Sequence, residues 1–202
     1  MKILFYDTET TGLISKNNFP YIVQFSYIIY DTELKSITLK YDEIIHLPES
    51  IEIPEESTKI HRISTLMSKQ STVEILDCLK EFVEHCKNVE LVVGHNISFD
   101  NQMVIGELKR QNQNDIIESF SNVNFYCTMQ ETTKFCNISA TTKMLSRTYI
   151  KYPKLIELHD KLFGKNTLTL ELHNSFNDVM ICFKCYFKFR YDIDINLTEI
   201  MI

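Results

Sequence analysis

The chain opens with an apolar run, Ile3-Leu4-Phe5-Tyr6, that reads as a short buried strand over about residues 2–7. A polar turn through Gly12 and Asn17-Asn18 follows, then a long β-rich run from Tyr21 to Tyr30. Ser36 to His46 alternates well enough to be its hairpin partner across Asp31-Thr32-Glu33, so the first three strands are expected to form an antiparallel meander. Pro54 to His61 reads as a short helical turn entering a loop. The period then changes. Val73, Leu76, Leu79, Phe82, Val83 and Cys86 recur at the spacing of an amphipathic helix over Ser71 to Cys86, with Ser71 or Thr72 and Glu74 as its cap. Val89 to Val93 is a short, wholly apolar strand; Gly94 to Asp100 closes it and opens a helix capped by Ser98 that runs through Met103, Ile105 and Leu108 toward Gln111. Asn124 to Cys127 reads as a fifth strand, and the remainder as mostly helical, over about 128–136, 153–163 and 174–190. Strands separated by helices and buried on both faces pair in parallel. The expected architecture is therefore α/β, with a five-stranded mixed sheet, three antiparallel strands and then two parallel ones, flanked by helices.

Composition narrows this further. The 202 residues, 44% of them hydrophobic, suffice for a substantial core, and no linker-like stretch or repeat divides them. One domain is expected over 1–202, with a core of about 2–190 and a tail over 191–202. No targeting pattern or long apolar span is visible, so neither a membrane partner nor secretion is expected, and the location should be intracellular, cytoplasmic or viral. Cys78, Cys86, Cys127, Cys136, Cys182 and Cys185 lie mostly in apolar, periodic segments, as reduced buried thiols do; Cys182 and Cys185 form one C-x₂-C without the second pair that a zinc site needs. The net charge of −6 argues against coating nucleic acid by charge alone. Locally the balance reverses: Thr132 to Ile156 contains no Asp or Glu but holds Lys134, Lys143, Arg147, Lys151 and Lys154, a segment able to meet a phosphate backbone.

Acidic residues at the ends of predicted elements supply candidate chemistry. Asp7 and Glu9 are two apart on a strand and so point to one face, where two carboxylates repel unless a proton or a divalent cation lies between them. Oxygen ligands of this kind suit Mg²⁺ or Mn²⁺ better than zinc. Asp100 falls in a first helical turn at the carboxyl end of a strand, where open α/β sheets place their sites. His173 and Asp178 are five residues apart, about 500° of helix, and would diverge by about 140° if both were helical. They converge only if His173 lies in a loop and Asp178 in the opening turns of a helix capped by Asn174 or Ser175.

Asp7-Thr8-Glu9-Thr10-Thr11-Gly12-Leu13, then Gly94-His95-Asn96 with Phe99-Asp100, then His173 and Asp178, in that order, resemble the three motifs of the DEDDh exonucleases, the DnaQ-like 3′→5′ group with a ribonuclease H-like fold. The similarity runs from Lys2 to about Arg190. A tyrosine-type relative would carry Tyr at the position of Asn174, whereas His173 occupies the histidine-type position. Met129 after Cys127-Thr128, and Lys151-Tyr152-Pro153-Lys154-Leu155 with Glu157-Leu158, further resemble members found in large DNA viruses. The resemblance implies a hydrolase with two divalent ions per site. Asp7 would bridge both ions, Glu9 and Asp178 would hold one, Asp100 would support the other, and His173, as the neutral imidazole, would act as general base. It also implies that Thr10 and Leu13 contact the terminal nucleotide, that Glu56 and His61 line its pocket, and that Asn96 and Phe99 shape it. Arg62 departs from the family, which usually has Gly after the His, and should alter how that nucleotide is held. The expected partners are single-stranded or frayed 3′ ends of DNA or RNA, with a polymerase or a second copy of the chain as further candidates. The competing expectation is a non-catalytic module that binds nucleic-acid ends or a polymerase.

Overall fold

The computed structural model describes residues 1–16, 19–142, 147–168 and 170–197. The turn expected at Asn17-Asn18, Lys143 of the basic stretch and the end of the tail lie outside the described residues. In chain order the elements are β1 (Lys2–Thr10), β2 (Ile22–Asp31), β3 (Ser36–Ile44), α1 (Glu55–His61), α2 (Thr65–Gln70), α3 (Ile75–Lys87), β4 (Leu91–Gly94), α4 (Ile97–Arg110) and α5 (Asn114–Ser121). They continue as β5 (Phe125–Cys127), α6 (Thr128–Glu131), α7 (Thr133–Cys136), β6 (Ser139–Thr141), β7 (Thr148–Ile150), α8 (Leu155–Phe163) and α9 (Ser175–Tyr191).

Five strands form one sheet in the order β3-β2-β1-β4-β5, with β1–β2 and β2–β3 antiparallel and β1–β4 and β4–β5 parallel. This is the expected mixed sheet, and the fold is α/β and ribonuclease H-like. Period-2 alternation divides β1 between two layers. Leu4 and Tyr6 pack with Phe25, Tyr27, Leu79, Phe82, Met103 and Val104 beneath α3 and α4, while Ile3 and Phe5 pack with Val179, Phe183 and Tyr186 of α9. Covered on both faces, β2 is buried along its whole length. The sheet register matters for the site: β4 pairs with β1 only from Ile3 to Phe5, whereas β2 follows β1 to Thr10. Strand β1 therefore overhangs the carboxyl end of β4, and Asp7 and Glu9 project from that overhang on the α9 face.

The structure differs from the sequence reading at several element ends. β1 extends to Thr10 because β2 supplies ladder partners beyond Asp7. Ser71 and Thr72 do not cap α3: its N-cap is Glu74, and the Ser71 hydroxyl donates to the Ile44 carbonyl at 2.5 Å instead. Asn96, not Ser98, precedes α4, in a left-handed conformation (φ 66°) that an Asn tolerates. The helix expected over 128–136 breaks at Thr132, whose hydroxyl bonds back to the Thr128 carbonyl at 2.7 Å. Helices α2 and α5 and the β6–β7 ribbon were not expected; each is shorter than the window of about 11 or more residues over which a helical period stands out, or the roughly four or more over which alternation does. All six cysteines are buried and unpaired, as expected of reduced thiols. The tail packs Ile195 against the α9 layer. Among the described residues, no helix is long and apolar enough to cross a membrane.

Candidate active site

Three elements meet at the overhang of β1. Asp7, Glu9 and Asp178 each present a carboxylate oxygen, and these oxygens lie within 4.8 Å of one another. Asp178 reaches them because α9 begins at Ser175: the Asn174 side chain accepts from the Asn177 N–H at 3.1 Å and caps the helix. His173 stands in the preceding loop at φ 65°, as the angular argument required, and its main-chain N–H donates to Asp178 Oδ2 at 3.4 Å. The imidazole is exposed. Asp100 approaches from the opposite side of β1. Its Oδ1 accepts from the Thr8 N–H at 3.1 Å and the Thr8 hydroxyl at 2.7 Å, so the fourth acid is held against the strand and stands outside the three-residue set.

Electrostatically the four are still one system. Burial, then the charges of Asp100, Asp178 and Glu9, hold the Asp7 carboxyl well above the usual range. Burial and the neighbouring Asp178 and Asp100 push Glu9 up to about 8. Asp100 and Asp178 both rise to about 7, mainly through burial, against hydrogen bonds from Thr8 and from the His173 backbone respectively. Asp178 Oδ1 is buried with no hydrogen-bond partner among the described residues. Such an oxygen is costly unless a cation meets it. An all-oxygen donor set, crowded enough to retain protons and with one acceptor unfilled, fits a divalent metal ion.

A cavity of about 470 Å³ adjoins the cluster through Thr8 and Glu9 and is lined further by Thr10, Gly12, Leu13, Glu56, Ser57, Ile60, His61 and Phe99. The candidate residues Thr10, Leu13, Glu56, His61 and Phe99 are thus together, with Leu13 80% exposed at the rim. Asn96 is not in this wall; its place is the turn into α4. The Ser57 hydroxyl donates to the Thr11 carbonyl at 3.0 Å and ties α1 to the motif loop. His61 is buried and kept neutral, since burial lowers its pKa. Its Nδ1 accepts from the Ile63 N–H at 3.1 Å, so Nε2 carries the proton and turns it toward the Thr10 backbone carbonyl, which offsets part of the effect of burial.

A family model described as Exonuclease (RNase T) matches residues 4–186. The chain belongs to the exonuclease family. Within it, the order of acids and histidine places the chain among the DEDDh, DnaQ-like exonucleases. No curated protein matches it significantly. Among solved structures, it is similar to Exonuclease I of E. coli in complex with a dA16 oligonucleotide, with a TM-score of 0.67 at 14% identity over 95% of this chain and 41% of that one. The zinc ion bound form of the E. coli ExoI–ssDNA complex gives 0.69 at 14%, again over 95% and 41%. Exonuclease I from Methylocaldum szegediense gives 0.66 at 18%, over 95% and 41%. The exonuclease chain thus spans about two fifths of the length of these structures, and at such identity the likeness is one of fold.

Sequence reasoning missed what holds α9 in place. Directly across the ladder from Asp7 and Glu9 stand Ser26 and Gln24 of β2, both buried. Gln24 Oε1 accepts from the Ser175 N–H at 3.2 Å and from the Asn174 amide at 3.5 Å, and its Nε2 donates to Asp42 at 2.8 Å. The Ser26 hydroxyl donates to Asp42 at 2.7 Å, which leaves the Ser175 hydroxyl to donate to Ser26. The first turn of α9, and with it Asp178, is bolted to the same strand pair that carries Asp7 and Glu9. Two polar residues inside the apolar run Ile22 to Tyr30 were the available signal.

Arg62 keeps the backbone geometry that glycine would favour at this position. It sits at φ 64°, the left-handed C-cap of α1 where glycine is favoured. Its guanidinium pairs with Glu171 at 2.7 Å and so spans from α1 to the loop carrying His173. His95 does more than finish a strand: Nε2 donates to the Pro153 carbonyl at 3.0 Å, and Nδ1 pairs with the Thr128 hydroxyl at 2.9 Å.

Proposed function

We propose that the chain is a metal-dependent 3′→5′ exonuclease that hydrolyses the last phosphodiester bond of a DNA or RNA strand and releases nucleoside 5′-monophosphates. The observation that carries this reading is the Asp178 Oδ1, without a hydrogen-bond partner among the described residues, within three converging carboxylates. Asp7, Glu9 and Asp178 would hold one Mg²⁺ or Mn²⁺, and Asp7 with Asp100 a second. When bound, such a pair neutralises charge on the phosphate, stabilises the departing 3′ oxygen and lowers the pKa of the attacking water.

The chain's own residues do the rest. His173, exposed and tethered by its main-chain N–H to Asp178, would take a proton from the attacking water. The water oxygen bonds to phosphorus as the bond to the 3′ oxygen breaks, which leaves the phosphate on the 5′ side of the released nucleotide. The adjoining cavity would receive that nucleotide, with Leu13 against its base and Glu56 and His61 as polar contacts. With Mn²⁺ or Mg²⁺ the protein is expected to shorten single-stranded oligonucleotides from the 3′ end, and EDTA or Asp7→Ala should abolish this. Persistence of 3′-labelled strands with either ion, across pH and salt, would sink the proposal; binding of ends without hydrolysis would favour the non-catalytic module.

A further inference from the structure

The proposed site leaves the acid-free stretch from Thr132 to Ile156 unused. Its described part contains the β6–β7 ribbon, which pairs Ser139 with Ile150, Ala140 with Tyr149 and Thr141 with Thr148. An isolated two-stranded ribbon is marginal in water, and the small residues of β6 give the bulky residues of β7 no cover. Tyr149 is 50% exposed, Ile150 43% and, just beyond, Tyr152 58%; neither tyrosine ring meets another among the described residues. Arg147 and Lys154 flank them, both exposed and with no side-chain ion pair within 4 Å among the described residues, whereas Glu157 takes the Lys151 ammonium at 2.6 Å and the Lys154 main-chain N–H at 2.7 Å and feels the charge of both.

We propose that this ribbon and the turn after it, through Arg147, Tyr149, Tyr152 and Lys154, form the docking surface for the single-stranded polynucleotide upstream of the end being cut. The proposal rests on the reading of the acidic cluster as a nuclease site. Two arguments select a single strand. A local excess of positive charge on a chain of net charge −6 is complementary to a polyanion. Rings interspersed with those cations match a strand whose bases are free to stack, which a duplex does not offer. Position supplies the third argument. The Lys151 N–H donates to the Ile138 carbonyl at 2.9 Å and closes the ribbon's base. Pro153 is then fastened by His95, the residue after β4 ends, at the same end of the sheet where Asp100 and the β1 overhang lie.

The test measures fluorescence anisotropy of 5′-labelled oligothymidylates and oligouridylates of three and twelve nucleotides, in EDTA so that nothing is cut. Wild type should bind the longer strands more tightly. The Tyr149→Ala/Tyr152→Ala variant should lose about tenfold of that gain, and the Tyr149→Phe/Tyr152→Phe variant should keep it, since stacking needs the ring and not the hydroxyl. Arg147→Gln/Lys154→Gln should flatten the slope of log Kd against log salt by about 1.4, because two phosphates of a single strand would then keep their counterions on binding. The same gain with length in wild type and the Ala variant, or equal weakening of short and long strands, overturns the proposal. Thymidylate and uridylate arms read whether the surface takes DNA, RNA or both. Absence of cleavage by wild type in Mn²⁺ would sink the nuclease reading separately and leave this binding comparison readable.

Discussion

Replacing Asp178 with Asn should stabilise the metal-free fold at pH 8 while abolishing hydrolysis. The Asp178 carboxyl titrates at about 7 in the folded chain against an ordinary 3.8, so the unfolded chain ionises first as pH rises. At pH 4 both states are largely protonated and the wild type carries little penalty. Between pH 4 and 7 the native state binds more protons than the unfolded one, and stability falls with pH until it levels off near pH 8. At about 1.4 kcal/mol per pH unit, the full difference is on the order of 4 kcal/mol; water reaching this half-buried group screens it to about 2 kcal/mol. Asn cannot ionise. Its carbonyl can still accept from the His173 N–H, and its amide puts a donor where Oδ1 now lacks a partner, among the Asp7 and Glu9 oxygens. Urea or thermal denaturation in EDTA should show the variant and wild type nearly equal at pH 4.5, with the variant ahead by about 2 kcal/mol, or about 4–8 °C in Tm, at pH 8. A variant destabilised equally at both pH values would refute the account of the cluster as a set of crowded, desolvated charges.

Other outcomes follow from the same geometry. Mg²⁺ or Mn²⁺ should raise the wild-type Tm more at pH 8 than at pH 5.5, because ions compete with protons for Asp7, Glu9 and Asp178; an equal rise at both would contradict this, and differential scanning fluorimetry reads it. His173→Ala should cut kcat by about 10²–10⁴-fold yet keep the metal-dependent Tm rise, since its bond to Asp178 is made by the main chain. Gln24→Ala, which removes no carboxylate and no imidazole, should cost about 1–3 kcal/mol by leaving the buried Ser175 N–H unpaired, and should weaken metal affinity as Asp178 loses its alignment; isothermal titration with Mn²⁺ measures the second effect. Arg62→Gly should stabilise the fold by up to about 1 kcal/mol through relief of the left-handed C-cap, the exposed pair with Glu171 offsetting little of it; urea denaturation reads the difference.

Much of this molecule was legible along the chain because its information is local. Alternation and period marked the five sheet strands and most long helices, and the buried β2 and amphipathic α3 are where those patterns run longest. The acids and His173 stood out because motif spacing survives without coordinates, and even the need for His173 to lie ahead of a helix followed from counting angles. What the sequence could not decide was anything set by register or by contacts distant in the chain. The overhang of β1 beyond β4, which bares Asp7 and Glu9, depends on where two strands stop pairing. The side of β1 from which Asp100 joins the other acids is likewise a matter of packing, and its bonds from Thr8 settle it. The bolting of α9 through Gln24 and Ser26 joins residues about 150 positions apart, and the His95 tether of the basic ribbon joins others about 60 apart. Side-chain periodicity says which face a residue takes within its own element; only packing says which elements share that face.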